Sequence, residues 1–181
     1  MPRIAETPRL FIQTWELTDH SALMRLTRQS GISEYSTSGY ANFTDERARF
    51  WIANELERFR VEKLGRFAVI SKELGIPIGI SGIFRHPNLP MSEADINYRY
   101  PVQYRGKGFA TEAAQAILRY GFVELGLDHI NANVDLNNAA SRKVIERLGM
   151  KVVGPVCYEG IEARRFSMAR RDFDLQHLNT R

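Results

Sequence analysis

Residues 104–113, YRGKGFATEA, set two glycines around a lysine, with an arginine just before them and a helix-forming run directly after. A helix N-terminus leaves backbone N–H groups unpaired and carries roughly half a positive charge. Glycines permit a tight turn and let an anion come close to the backbone. Arg105 and Lys107 add charge beside Gly106 and Gly108. The combination suits a diphosphate. Two common phosphate motifs fail here. A P-loop needs GxxxxGK followed by Ser or Thr, but Gly106-Lys107 is followed by Gly108, and Pro101 stands five residues before Gly106. A dinucleotide fingerprint needs a third glycine where Thr111 stands. A plain strand-to-helix turn is the remaining competitor.

The elements that must position this turn are legible in outline. RLFIQTW (9–15) alternates and reads as a strand. Thr18 or Asp19 can cap a helix carrying Ala22, Leu23 and Leu26. Residues 30–43 read as a loop or short helical turns. Thr44 can cap a second helix with an apolar stripe of Ala48, Ile52, Leu56 and Phe59. Residues 66–72 and 76–84 read as a hairpin, and 94–102 as a strand with Ile96, Tyr98 and Tyr100 on one side. The helix after the glycines carries Ala110, Ala114, Ile117, Leu118, Gly121 and Leu125, with Gly126 as its stop. A strand (129–135), a helix (137–149) capped by Asn and ended by Gly149, and a final strand pair (150–156 and 164–172) follow. The order predicts an α+β fold: a mixed, mostly antiparallel sheet of about six to seven strands with about four helices.

The chain has 181 residues, which fits a single domain over 1–181 with its core at about 8–173. No apolar run reaches the ~18 residues of a membrane span, and the N-terminus lacks a signal-peptide pattern. A cytoplasmic location is expected. The net charge of +4 suits a polyanionic cofactor, but no zinc-finger or RNA-binding signature appears, so direct nucleic-acid binding is not expected. The single cysteine, Cys157, excludes an internal disulfide and reads as a buried or half-buried spectator. No metal site is expected.

Arg105-Gly106-Lys107-Gly108-Phe109-Ala110 also matches the pattern R/Q-x-x-G-x-G/A, after a strand and before a helix. In this it resembles the GNAT superfamily of N-acetyltransferases, whose corresponding segment binds the pyrophosphate of acetyl-coenzyme A. The resemblance runs nearly end to end. ETPRLFIQTWELTDHSAL (6–23), GIPIGISGI (75–83), ADINYRYPVQYRGKGFATEA (94–113), NNAASRKVIERLGM (137–150) and RRFSMARRDF (164–173) are similar, in order, to segments of its RimJ/RimL-type branch, which modifies protein N-termini.

The resemblance implies a single GNAT fold and direct acetyl transfer from acetyl-CoA to an amine. The backbone of Tyr98, Arg99, Tyr100 and Val102 would pair with the pantetheine arm like an extra strand. The amides of Arg105, Gly106, Lys107, Gly108, Phe109 and Ala110 would cradle the pyrophosphate. Asn138 would hydrogen-bond the pantetheine arm, although plain helix capping explains it equally well and Asn137 competes for the cap. A backbone N–H near Tyr98 or Arg99, where two strands should splay, would donate to the thioester carbonyl oxygen. Asp95 stands where the branch carries Glu, in Asp-Ile-Asn-Tyr for Glu-Ile-Gly-Tyr. It would act as base through water, with Glu93 the alternative and a solvent-facing strand-edge carboxylate the plainer explanation. The family's usual acid, a tyrosine seven residues after the Asn, is replaced by Ile145. Ser141 fits the serine of the RimJ/RimL branch and could bond the sulfur, if it is not an ordinary surface serine. Tyr158 is a weaker candidate.

Tyr35, Tyr40, Phe43, Phe50, Trp51 and Phe84 fall in the region that lines the acceptor site in this family. Of these, Tyr35, Tyr40, Trp51 and Phe84 are the substrate-binding candidates, and most could equally be core. The expected acceptor is a protein or peptide N-terminal amine, for instance on a ribosomal protein. A small amine (amino acid, polyamine or antibiotic) and a non-catalytic acetyl-CoA-binding regulatory module are the alternatives. The chain is expected to be a monomer or homodimer.

Overall fold

The computed structural model describes residues 1–32, 34, 43–86, 89–158 and 160–173. Its strands are β1 (Arg3–Glu6), β2 (Leu10–Gln13), β3 (Gly65–Ser71), β4 (Pro77–Phe84), β5 (Glu93–Arg99), β6 (His129–Asp135), β7 (Lys151–Tyr158) and β8 (Ile161–Ala169). Its α-helices are α1 (His20–Thr27), α2 (Asp45–Glu62), α3 (Phe109–Arg119) and α4 (Ala139–Arg147). The strands form one sheet in the order β1-β2-β3-β4-β5-β6-β8-β7. Only β5 and β6 pair in parallel. The fold is the expected α+β arrangement, with one strand more than the upper expectation. The extra strand is the short edge β1, whose four residues offer too little alternation to be read from sequence.

Two apolar layers sandwich the sheet. On one face, Ala113, Ala114, Ile117 and Leu118 of α3 and Ile145 of α4 bury against Ile83, Ile96, Ile130 and Phe166. On the other, Leu23 and Leu26 of α1 and Ala48 and Ile52 of α2 bury against Trp15, Ala68 and Ile80. Thr44 caps α2 as its position suggests, accepting from the Arg47 amide at 3.2 Å. The stripe of α2 differs from the expectation. Glu55 is buried, while Leu56 and Phe59 are half-buried. The Glu55 carboxylate accepts from the Arg66 amide at 2.8 Å and from its guanidinium at 3.1 Å, which compensates its burial. Asp19 precedes α1, but its carboxylate accepts from the Glu16 amide and does not cap the helix. Cys157 is exposed on edge strand β7, contrary to the expected burial, because β7 has a neighbour on one side only.

The consequential irregularity is between β5 and β6. They pair only at Glu93–His129, Ala94–Ile130 and Asp95–Asn131. Beyond Asp95, β5 continues along β4 to Arg99–Ile80, and β6 continues along β8 to Asp135–Ala163. The two strands diverge there, and the β6-facing backbone edge of β5 loses its strand partner.

Candidate active site

A cavity of about 310 Å³ opens at this divergence. Its walls are the end of β5 (Tyr98, Arg99, Tyr100), the glycine turn and first turn of α3, and one face of α4. Of the residues expected to hold acetyl-CoA, Arg105, Gly106, Gly108, Phe109, Ala110, Asn138 and Ser141 also line it. Lys107 and Val102 do not. The Val102 amide donates to the Ser30 carbonyl at 2.9 Å, so it has no free N–H to offer an added strand.

The turn is shaped for an anion. Gly106 (φ 73°) and Gly108 (φ 82°) lie in the left-handed region, where side chains are disfavoured. Gly108 is the N-cap of α3 and provides no capping side chain. The amides of Gly106 to Thr111 have no partner among the described residues. Unpaired amides at a helix N-terminus, with two left-handed glycines before it, fit the diphosphate of acetyl-CoA.

The charges are distributed differently from the expectation. Arg105 does not face the cavity as a free cation. Its guanidinium donates to the Tyr100 carbonyl at 3.0 Å, to Glu34 at 2.8 Å and to the Gly31 carbonyl, because those oxygens lie within its reach. It therefore braces the segment around Gly31 against the turn. Cationic lining comes instead from Lys143 and Arg147 on α4, which the sequence reading did not single out. Their four-residue spacing on the face that also carries Ala140 and Val144 was the available signal.

A second unforeseen group is Arg9, just before β2. Its guanidinium donates to Glu112 at 2.6 Å and to the Lys107 carbonyl at 2.9 Å, and lies 4.6 Å from the Phe109 ring centroid. Thr7 donates to the same carboxylate at 2.6 Å. These bonds lower the pKa of Glu112 against the opposing effect of burial. The carbonyl of Lys107 is thus held by Arg9, while Gly106 and Gly108 on either side of it line the cavity.

Asn138, not Asn137, caps α4, its Oδ1 accepting from the Ser141 amide at 2.9 Å. The Asn137 amide donates to Asp135 instead. The Tyr98 hydroxyl lies 2.8 Å from Ser141 Oγ and 3.1 Å from the Ser141 carbonyl oxygen. Burial pushes the Tyr98 phenol well above its usual range, so it stays protonated. Ile145 is buried in the core and offers no hydroxyl, and the Tyr98 hydroxyl of β5 stands beside Ser141.

Glu93, Asp95 and Asn97 alternate onto the opposite face of β5. Glu93 is engaged: it accepts from Asn131 Nδ2 at 3.0 Å and lies 3.9 Å from the Arg165 guanidinium. Asp95 is 2% exposed. One oxygen accepts from Asn133 Nδ2 at 3.4 Å; the other, Oδ1, has no partner among the described residues. Among the described residues, neither do Asn97 Oδ1 and Nδ2 or Asn133 Oδ1. Each such atom costs roughly 1–3 kcal/mol while unpaired. Burial raises the pKa of Asp95; Arg165 and His86 oppose the shift and Glu93 adds to it. A carboxylate in that state is a stronger base than an exposed one.

The other acceptor-side candidates separate. Phe84 pairs with Asp95 across β4–β5 and lies beneath Arg66, whose guanidinium carbon is 4.8 Å from the ring centroid. Trp51 of α2 is half-buried and packs edge-on against Trp15 at 6.1 Å and Phe43 at 6.3 Å, at the margin of the core cluster under α1 and α2. Phe50 is 68% exposed. Tyr158 lies against His86 at 5.9 Å, outside the cavity lining. Tyr35 and Tyr40 fall outside the described residues. Among the described residues, no cluster of side chains could hold a metal ion and no helix is long and apolar enough to cross a membrane.

Comparison with known proteins agrees with this geometry. The Bacillus subtilis (strain 168) protein named uncharacterized N-acetyltransferase YnaD is 32% identical over 148 residues, 82% of each chain. The crystal structure of a GNAT-family acetyltransferase from Bacillus anthracis superposes with a TM-score of 0.75 at 26% identity, covering 92% of this chain and 98% of that one. RimL, titled a ribosomal L7/L12 alpha-N-protein acetyltransferase in complex with coenzyme A, shares the fold at a TM-score of 0.78 and 14% identity, covering 93% and 98%. Residues 9–151 match the model of the acetyltransferase (GNAT) domain, and the chain belongs to that family of acetyl-CoA-dependent N-acetyltransferases.

Proposed function

We propose that this N-acetyltransferase acetylates the N-terminal amine of a protein or peptide, with Asp95 as base and Ser141 as proton donor. The observation that carries the assignment of roles is the unpaired buried oxygen of Asp95, located where β5 and β6 part and on the face of β5 opposite Ser141. A base and an acid on opposite faces suit a reaction that takes a proton from an amine arriving on one side and gives one to sulfur leaving on the other. The preference for an N-terminal amine is supported by the RimJ/RimL-type segments of the sequence and by the likeness to RimL.

Acetyl-CoA supplies the acetyl group as a thioester open to attack by a neutral amine. The amides of Gly106 to Thr111 would hold its pyrophosphate, with Lys143 and Arg147 adding charge at the α4 wall. The β6-facing edge of β5 beyond Asp95 would pair with the amide-bearing arm, and an N–H at Tyr98 or Arg99 suits the carbonyl oxygen. Asp95, ionised, accepts the amine's proton through a water molecule. Ser141 Oγ–H donates toward the sulfur. Tyr98, whose phenol keeps its proton, lies 2.8 Å from that hydroxyl and would orient it, donating to Oγ when the serine proton turns to the sulfur.

The test is acetyl transfer from acetyl-CoA across a panel of short peptides with free N-termini, amino acids and polyamines. The reading expects peptides to be the preferred acceptors. Preference for a polyamine or a free amino acid would overturn the acceptor assignment. Binding of acetyl-CoA with no transfer to any amine would overturn the catalytic one.

A further inference from the structure

We infer that Asn97 and Asn133 determine acceptor specificity by reading an α-ammonium group together with the carbonyl next to it. The inference rests on the N-terminal-amine reading above. Asn97 follows Asp95 by two residues on β5, on the same face, so their side chains start about 7 Å apart along the strand. Asn133 stands two residues past the last β5–β6 pair on β6, as Asn97 does on β5, so the two asparagines flank the mouth of the divergence. The contact between Asn133 Nδ2 and Asp95 Oδ2 fixes Asn133 over the carboxylate.

The unpaired atoms define the chemistry of the missing partner. Asp95 Oδ1, Asn97 Oδ1 and Asn133 Oδ1 are acceptors, and Asn97 Nδ2 is a donor. All are buried, and buried polar groups are paired in native proteins or wait for a ligand that pairs them. The complement is a group with three donors and one adjacent acceptor. A primary ammonium has three N–H donors, and the carbonyl beside it in an aminoacyl group is the acceptor. An alkylamine or polyamine offers the donors without the carbonyl. A free hydroxyl has too few donors. The same face supplies Phe84 beside Asp95 as an apolar wall for the first side chain.

The experiment compares alaninamide with isopropylamine, which has the same ammonium and branching but no carbonyl, in wild type, Asn97→Ala and Asn133→Ala. The expected result is a preference of about tenfold or more for alaninamide in wild type, reflecting one buried donor left unpaired by isopropylamine. Asn97→Ala should abolish that preference. Asn133→Ala should raise KM for both amines about equally. Acetyl-CoA affinity, measured by calorimetry, should not change in either variant, and Asn97→Ala should not melt at a lower temperature, because it removes unpaired polar atoms, whereas Asn133→Ala also takes a hydrogen bond from Asp95. Titration of alaninamide into wild type without acetyl-CoA should shift the side-chain amide NMR signals of Asn97 and Asn133. Active wild type whose preference is absent, or survives in Asn97→Ala, overturns the inference and leaves the enzyme reading standing. Loss of acetyl-CoA binding in either variant, or a lower melting temperature in Asn97→Ala, would assign the asparagines to the scaffold and also overturn it. Wild type that binds acetyl-CoA yet acetylates neither amine, with unmoved asparagine signals, removes the N-terminal-amine reading as well.

Discussion

On one face of β5, Tyr98 and Ser141 hold each other at 2.8 Å and the glycine turn is fixed from outside by Arg9. On the other, Asp95, Asn97 and Asn133 keep four buried polar atoms without partners among the described residues. The donor side thus pairs its side chains with one another and leaves backbone open: the amides of the turn and the β6-facing edge of β5 beyond Asp95. The acceptor side leaves its side chains open. On the proposed roles, a site for a constant ligand is preformed in backbone, whereas a group that is to take a proton keeps unpaired capacity at the cost of stability.

The largest effect expected from disturbing the donor side is that of Gly108→Trp. A side chain at φ 82° is strained, and a Cβ there would lie 3.3 Å from the Arg9 guanidinium. Acetyl-CoA affinity by calorimetry should fall by roughly two orders of magnitude or more, because the anion cradle of the turn is lost. Next come Tyr98→Phe and Ser141→Ala. Each should lower kcat about tenfold to a hundredfold with a small change in KM, and the double variant should be little worse than either, because the two hydroxyls act as one unit. Arg9→Ala should have the smallest effect, raising the dissociation constant of acetyl-CoA a few-fold, on the order of 1 kcal/mol, with kcat unchanged, because it removes a charge-assisted bond behind the turn.

The acceptor side makes an opposite prediction about stability. Burial raises the pKa of Asp95 in the folded protein, so its contribution favours the fold below the unfolded carboxylate value and is lost as pH rises through the folded value. Asp95→Asn should therefore melt higher than wild type above the folded pKa, and the difference should shrink as pH falls toward the unfolded one. Melting curves across that range check it. A variant that melts lower at neutral pH would mean that the ionised carboxylate is stabilised where it sits.

What the sequence made legible follows the same division. The turn at Gly106–Gly108, strand β6 and an Asn cap on α4, at 137 or 138, were readable because each depends on local chemistry: φ above zero, period-two alternation, a side chain bonding three residues on. The remainder depends on contacts between distant residues. Arg9 meets Glu112 across 103 positions. Arg105 looked like a phosphate ligand until Gly31 and Glu34 were brought beside it. β8 inserts between β6 and β7, which no local pattern dictates. Asn97 and Asn133 are ordinary strand residues in sequence, and only the parting of β5 from β6 leaves their side chains unpaired.

The measurement to make is acetyl transfer to an N-terminal peptide by wild type and Asp95→Asn, with acetyl-CoA affinity determined on the same preparations by calorimetry. The division of roles across β5 predicts unchanged affinity and a kcat lower by roughly 10²–10³ in the variant. Turnover by Asp95→Asn at the wild-type rate would contradict it and remove Asp95 from the reaction.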